Sequence, residues 1–258
     1  MKYMGSKSRI KKYVVPILQE LIDKNNVKVY IEPMVGGCNI IDSIKCKHKI
    51  GNDISTPLIE MWKHLKETNG DDIPLEVSRE HYNDVKKNQN TNKYPLWYIG
   101  TIGFLASYNG KYFDGGYAKT VITKTGIKRN YYDESRRNII KQISNLKDVI
   151  FTNNDYKYMK EIKNALIYAD IPYKDTTQYQ SCDNFDYDYF WNWVREQSKN
   201  NIVVVSELQA PNDFICIWEQ EVTRTQDNKS RAKSIEKLFV HKDNYQKYFD
   251  IAVNRMED

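Results

Sequence analysis

Four short, β-branched runs that each end on or just before a carboxylate constrain this fold more than any other feature of the sequence. They are "VKVYIEP" around Glu32, "HKIGND" at Asp53, "DVIFTNND" before Asp155 and "NALIYAD" at Asp170, with "NIVVVSE" following as a fifth strand. Amphipathic stretches lie between them. Residues 8–24 place Ile10, Val14, Ile17, Leu18, Leu21 and Ile22 at helical spacing, and Pro16 is expected to kink that helix or mark its start. "VGGCNII" reads as a glycine turn into a helix, "TPLIEMWKHLKE" as a helix with Thr56 as N-cap and Pro57 at the first helical position, and residues 186–199 as another helix. Strand and helix alternation of this kind predicts an α/β fold with a mostly parallel sheet. "FICIWEQEVT" and "IEKLFVHK" alternate with no helix-length segment between them, so an antiparallel strand pair is expected at the end of the sheet. Ligands of such sheets bind outside the carboxyl ends of the strands, which is where the four carboxylates fall.

Residues 70–148 interrupt the alternation. Candidate helices at 78–88, 95–106 and 133–145 are joined by Gly-, Asn- and Lys-rich loops, with no parallel strand predicted among them. The expected organisation is a core domain built from 1–69 and 149–258, carrying 70–148 as an inserted helical subdomain. Charge sharpens this division. Residues 86–150 hold twelve Lys or Arg against four Asp or Glu, a net of +8 that leaves the rest of the chain at −3. The same segment carries "YPLWYIG", "ASYNGKYF" and "KRNYY", which suits a surface that meets phosphates and stacks on bases; a solvated Lys-rich face is the other reading.

Composition excludes several classes. With 40% apolar and 28% charged residues the chain has the balance of a folded domain rather than a disordered one. Cys38, Cys46, Cys182 and Cys216 show no CxxC spacing or surrounding His cluster, so no metal site is predicted and all four are expected to be reduced, buried thiols. The opening "MKYMGSKSRIKK" lacks the apolar core of a signal peptide, no stretch approaches a membrane span, and nothing signals an obligate protein partner.

Gly36 and Gly37 remove the Cβ atoms from the turn after the first strand, so a ligand could approach its backbone with Glu32 alongside. Asp53 ends the second predicted strand about 20 residues after the glycine turn, where an acidic side chain of a nucleotide-binding α/β fold reaches ribose hydroxyls. "KYMGSK" at 2–7, "EPMVGG" at 32–37, "NDI" at 52–54 and "DIPY" at 170–173, in this order and with a basic insertion before the last, resemble the Dam-type (D12 class) DNA adenine N6-methyltransferases. The resemblance covers nearly the whole chain.

It implies an S-adenosylmethionine-dependent methyltransferase fold, DNA as partner, and a cytoplasmic enzyme encoded by a bacterium or phage. By position, Tyr3 and Lys7 would contact the cofactor, Gly36 and Gly37 would line its methionine end, and Glu32 would stand beside them. Asp53 would hold the ribose, Asp155 and Tyr156 would flank the adenine, and Asp170 would touch both cofactor and target. Asp170, Ile171, Pro172 and Tyr173 would form the catalytic turn, with a carboxylate and a main-chain carbonyl accepting from the target amine and an aromatic ring beneath an extruded base. Tyr108, Asn109, Lys111, Arg129, Arg136 and Arg137 would contact DNA. Two positions depart from the family pattern, Ile171 for the first proline of DPPY and Met34 for a phenylalanine, and Ile171 is expected to loosen the turn. The departures leave two other readings, an inactive relative that binds DNA or cofactor, and a methyltransferase acting on a planar amine in RNA or protein.

Overall fold

The computed structural model of the protein describes residues 1–123, 125–159, 162–173, 185–223 and 233–245. Among them the strands are β1 (Val29–Glu32), β2 (His48–Asp53), β3 (Thr120–Ile122), β4 (Lys128–Asn130), β5 (Val149–Asn153), β6 (Ala165–Asp170), β7 (Ile202–Glu207), β8 (Phe214–Thr223) and β9 (Lys233–His241). The helices are α1 (Lys11–Lys24), α2 (Thr56–Thr68), α3 (Arg79–Lys87), α4 (Leu96–Leu105), α5 (Tyr131–Ile143) and α6 (Tyr187–Asn200).

Seven strands form one sheet in the order β5-β2-β1-β6-β7-β9-β8. β5 runs parallel to β2, β6 to β1 and β7 to β6, while β9 is antiparallel to both β7 and β8. The fold is therefore α/β, mostly parallel, with the antiparallel pair at the end. Strands covered on both faces need no polar alternation, which is why "ALIYA" and "IVVVS" are buried at every position. Strand order reverses at β1: the chain goes out to β2 and β5 on one side, then returns to β6 on the other. Sheets of this kind bind ligands outside the carboxyl ends of the strands at such a reversal, and here those ends carry Glu32 and Asp170.

The described chain divides into two compact units. The first comprises 1–16, 35–45 and 49–156, and so contains the helical stretch from α3 to α5 together with β2, β5 and α2. Leu58, Ile59, Met61, Trp62 and Leu65 form the buried stripe of α2, and Trp62 stacks on Phe151 with centroids 6.2 Å apart. Helix α4 is apolar almost throughout and buried from Ile99 to Leu105, as expected of a helix with no solvent face in its second half. The second unit comprises 17–34, 46–48 and the described residues after 156. It is centred on β1, β6 and β7, against which α6 contributes Phe190, Trp191, Trp193 and Val194.

Several expectations need correction. "VGGCNII" makes no α-helix, only a single 3₁₀ turn at Ile41–Ser43, because Gly36 and Cys38 both sit at positive φ and break helical geometry. Ser55, not Thr56, is the N-cap of α2, since the Asp53 carboxylate takes the Ser55 amide at 2.9 Å and turns the chain one residue earlier. The stretch 70–148 contains a hairpin, β3 with β4, whose three-residue strands are too short and too exposed to show alternation. Cys38 is buried, but Cys46 is half-buried and Cys216 is exposed on β8; Cys182 lies outside the described residues. No described helix is long and apolar enough to cross a membrane.

Candidate active site

Of the candidate cofactor residues of the first unit, Tyr3, Gly36, Gly37 and Asp53 meet at the turn that follows β1. Gly36 adopts φ +47°, a left-handed conformation that glycine alone takes without strain, and its amide donates to Asp53 Oδ2 at 3.0 Å. Its carbonyl accepts from Trp62 Nε1 at 3.0 Å, and the Gly37 carbonyl accepts from Gln142 Nε2 at 3.0 Å. The space that Cβ atoms would fill belongs to Tyr3. A Cβ on Gly36 would lie 2.8 Å from Tyr3 Cε1, and one on Gly37 would lie 2.7 Å from Tyr3 Cβ. On the chain's own side, the glycines admit an aromatic ring, and Phe104 packs against that ring at 5.7 Å.

Asp53 is 7% exposed, and its two carboxylate oxygens accept from the amides of Gly36 and Ser55. Burial pushes its carboxyl pKa above the usual value, and the amides of Ser55, Gly36 and Ile54 oppose that rise. A carboxylate has about four lone-pair directions, so with three amides directed at it one remains that could accept from a further hydroxyl. The Asp155 segment is tied to the same strand end. Asn52 Nδ2 donates to the Asn154 carbonyl and Asn153 Nδ2 to the Asp53 carbonyl, both at 2.8 Å, while Tyr156 is buried in a short 3₁₀ turn. Lys7 is buried in another such turn, Lys7–Arg9.

In the second unit, Glu32 is buried at the end of β1 and accepts from the Tyr30 hydroxyl at 2.8 Å, two residues back on the same strand face. Asp170 closes β6 opposite Ser206 of β7. The turn after it is held by its neighbours. Ile171 is 3% exposed, so its side chain anchors the position where a proline was expected and offsets the rigidity the ring would have given. Tyr187, at the start of α6, donates its hydroxyl to the Pro172 carbonyl at 2.8 Å. The Tyr173 hydroxyl donates to Glu236 on β9 and lies 3.3 Å from Ser206 Oγ.

The candidate DNA residues fall into two groups. Tyr108 and Asn109 are exposed in a short turn with Lys111 beside them, and Tyr108 meets Tyr131 edge to face at 5.6 Å. Gly110, at φ +67°, is pressed against the N-terminal segment so closely that a Cβ there would lie 2.2 Å from the Lys2 carbonyl oxygen. Arg129, in the middle of β4, makes a two-point contact with Glu134, Nε at 2.8 Å and Nη2 at 2.7 Å, with its guanidinium 5.2 Å from the Tyr131 ring centre. Lys2 joins the same carboxylate at 3.3 Å, and these cations hold the Glu134 carboxyl down to about 2. Arg137 is paired with Asp133 at 3.0 Å, and Arg136 approaches the Ile73 carbonyl at 3.5 Å. Trp62, Gln142 and Glu236 carried no sequence signal because each acts through a partner distant in sequence, as does Glu134 toward Lys2, and the hairpin carried none because its strands are short and exposed.

The family model of the D12 class N6 adenine-specific DNA methyltransferases matches residues 3–215, a span that holds every candidate residue from Tyr3 to Tyr173. The chain belongs to this family. Among relatives, this D12-class protein is similar to Modification methylase StsI of Streptococcus sanguinis, 24% identical over 196 residues that cover 69% of the chain and 29% of the relative. It is also similar to Type II methyltransferase M.FokI of Planomicrobium okeanokoites, 21% identical over 288 aligned positions that cover 96% of the chain and 43% of the relative. The chain thus spans less than half the length of these two relatives.

Proposed function

We infer that this D12-class chain transfers a methyl group from S-adenosylmethionine to N6 of an adenine swung out of duplex DNA. The observation that carries the reading is the turn Asp170–Tyr173 at the carboxyl end of β6, next to the strand-order reversal and inside the span matched to the family. Adenine's exocyclic amine is a weak nucleophile because its lone pair is delocalised into the ring. The Asp170 carboxylate and the Ile171 carbonyl would accept its two N–H groups, so that the nitrogen pyramidalises and its lone pair is directed outward. S-adenosylmethionine supplies an electrophilic methyl group, whose old bonding pair stays with sulfur as the N6 lone pair forms the new N–C bond. The negative Asp170 side chain stabilises positive charge at N6 and takes up its proton.

Tyr173 gives the extruded base an aromatic face, worth about 1 to 3 kcal/mol by the measure of single-strand stacking. Asp53 would hold the ribose hydroxyls, with Tyr3, Lys7, Glu32, Gly36, Gly37, Asp155 and Tyr156 completing the cofactor contacts. Residues 70–148 would serve as the recognition subdomain of a catalytic domain formed by 1–69 and 149–258. Its DNA contacts would come from Tyr108, Asn109, Lys111, Arg129, Arg136 and Arg137, together with the hairpin β3–β4, whose Ile122 and Ile127 are exposed between Lys119 and Lys128.

The test is labelled methyl transfer from S-adenosylmethionine to unmethylated duplex DNA, followed by nucleoside analysis. N6-methyladenine is expected, and it should disappear with Asp170→Ala while cofactor binding persists. Cofactor binding without product from the wild type would instead identify an inactive relative. Label recovered only in RNA or protein would move the activity to another planar amine.

A further inference from the structure

We propose that Glu236 is a positioning residue for methyl transfer: through its hydrogen bond to the Tyr173 hydroxyl it fixes and polarises the ring on which the target base stacks. The inference rests on the adenine methyltransferase reading above. Glu236 lies outside residues 3–215, the span matched to the family, and no motif marks it. Its place comes from the antiparallel end of the sheet, where β9 returns beside β7 and sets Glu236 two positions from Leu238, the partner of Ser206. Ser206 in turn is the sheet partner of Asp170. The hydroxyl of Tyr173 therefore reaches two groups on the strands that follow the catalytic turn, Glu236 and Ser206.

Two physical consequences follow from this attachment. A tyrosine held at Cα by the backbone and at its hydroxyl by a carboxylate cannot swing its ring, and because Tyr173 is only 9% exposed the groups that cover its face must move aside before a base stacks there. Stacking depends on a parallel face at a set height, so a ring fixed beforehand spends none of the base's binding energy on ordering itself. A phenol that donates to an ionised acceptor also makes a stronger bond than one that donates to a neutral group, roughly twofold. The shared proton leaves more electron density on the ring and makes its face more negative. Adenine N6 becomes positively charged as the methyl group arrives, and a more negative aromatic face favours that charge over the neutral ground state.

The experiment compares wild type, Glu236→Gln, Tyr173→Phe and the double variant. For each, the melting temperature, the affinity for S-adenosylmethionine, and the single-turnover rate and KM with unmethylated duplex DNA are measured. Glu236→Gln keeps shape and a hydrogen-bond acceptor but removes the charge, and Tyr173→Phe keeps the ring but removes the hydroxyl. Each single variant should lower the rate by roughly tenfold, with KM and cofactor affinity within about twofold of wild type. The double variant should be no slower than the slower single, because both remove the same bond. A Glu236→Gln rate equal to wild type would overturn the inference, as would losses that multiply in the double variant, or a rate loss that merely follows a lower folded fraction. These outcomes leave adenine methylation by the wild type standing; a wild type that methylates no adenine overturns that reading and the inference together.

Discussion

The amide of Gly36 donates to the carboxylate of Asp53 at 3.0 Å, across 17 residues of sequence. One acidic side chain thereby fixes the left-handed glycine of one turn and, through the Ser55 amide, the entry into α2. The carboxylate is set in place by its own chain, so a hydroxyl brought against it would meet an acceptor that needs no rearrangement.

Replacing this carboxylate separates binding from folding. Asp53→Asn keeps one oxygen acceptor and removes the charge, and it should weaken S-adenosylmethionine binding by roughly tenfold to a hundredfold, the loss of about 1.5 to 3 kcal/mol for a charge-assisted bond. Because burial raises the native pKa of Asp53, its ionised form is disfavoured in the folded protein. Removing the buried charge favours folding, but the Asn amide group leaves either the Gly36 or the Ser55 amide facing a donor, so the variant should melt modestly lower than wild type and its affinity is compared at temperatures where both are folded. Calorimetric titration and thermal unfolding of both proteins check this, and unchanged affinity would remove Asp53 from the cofactor site.

The same residue sets a pH dependence. A carboxyl whose folded pKa is raised contributes stability that is present below its unfolded pKa and lost as pH rises through its folded pKa. Ligand hydroxyls prefer the ionised acceptor, so binding should have the opposite trend. Affinity should fall on acidification, starting above the ordinary aspartate range, by up to about tenfold per pH unit. Titrations across the acidic range with wild type and Asp53→Asn test it: the variant should lose the slope.

Gly110 tests whether the turn after α4 needs its contact with the N-terminal segment. Its positive φ and the 2.2 Å approach of a Cβ to the Lys2 carbonyl oxygen make Gly110→Ala both strained and crowded. A loss of about 1 to 3 kcal/mol is expected, read as a lower melting temperature. Gly116, also at positive φ but with open space around it, should lose less on the same change. Equal losses at the two positions would mean that the Lys2 contact contributes nothing beyond backbone strain.

Arg129 and Glu134 predict opposite effects on DNA binding. Arg129→Ala should weaken binding and reduce the slope of log affinity against log salt by about 1, the signature of one lost phosphate contact. Glu134→Gln should tighten binding to arbitrary DNA, because Lys2 and Arg129 lose their shared counter-charge. The Glu134 carboxyl is held down to about 2, so its share of stability is present above the ordinary glutamate range and is lost only in strong acid. The Glu134 effect should therefore be level from weakly acidic to alkaline pH. Fluorescence anisotropy over a salt series measures both variants, and an unchanged slope for Arg129→Ala would take that side chain off the DNA.

Ile171, the position at which the resemblance to a DPPY motif implies a proline, is buried. Ile171→Ala should cost about 2 to 4 kcal/mol and Ile171→Val about 1 kcal/mol, following the cavity each leaves. The methyl-transfer rate per folded molecule should fall in the same order, because the carbonyl at this position is aimed by the anchored side chain. Denaturant unfolding and single-turnover assays on both variants decide the matter; equal rates would show that the carbonyl is positioned without the anchor.

The strands of the seven-stranded sheet, the alternation that makes it mostly parallel, the antiparallel final pair and the helices between residues 70 and 148 were legible locally, because burial on one or both faces writes a period into the sequence. The glycine turn was legible as a turn and misread as the start of a helix, since Cys38 at positive φ has no sequence signature. The hairpin β3–β4 was invisible because its strands are three residues long and exposed.

By itself, then, the sequence determined which segments become strands, that their carboxyl ends carry Glu32, Asp53 and Asp170, and that positive charge gathers in one stretch. The tertiary structure alone decided which side chains meet at those ends: Gln142 at the Gly37 carbonyl, 105 residues away, and Glu236 at the Tyr173 hydroxyl, 63 residues away. Periodicity is a property of neighbours along the chain, whereas a hydrogen bond across the sheet depends on where a distant strand returns, and the residues beside the carbonyl or hydroxyl do not encode that position.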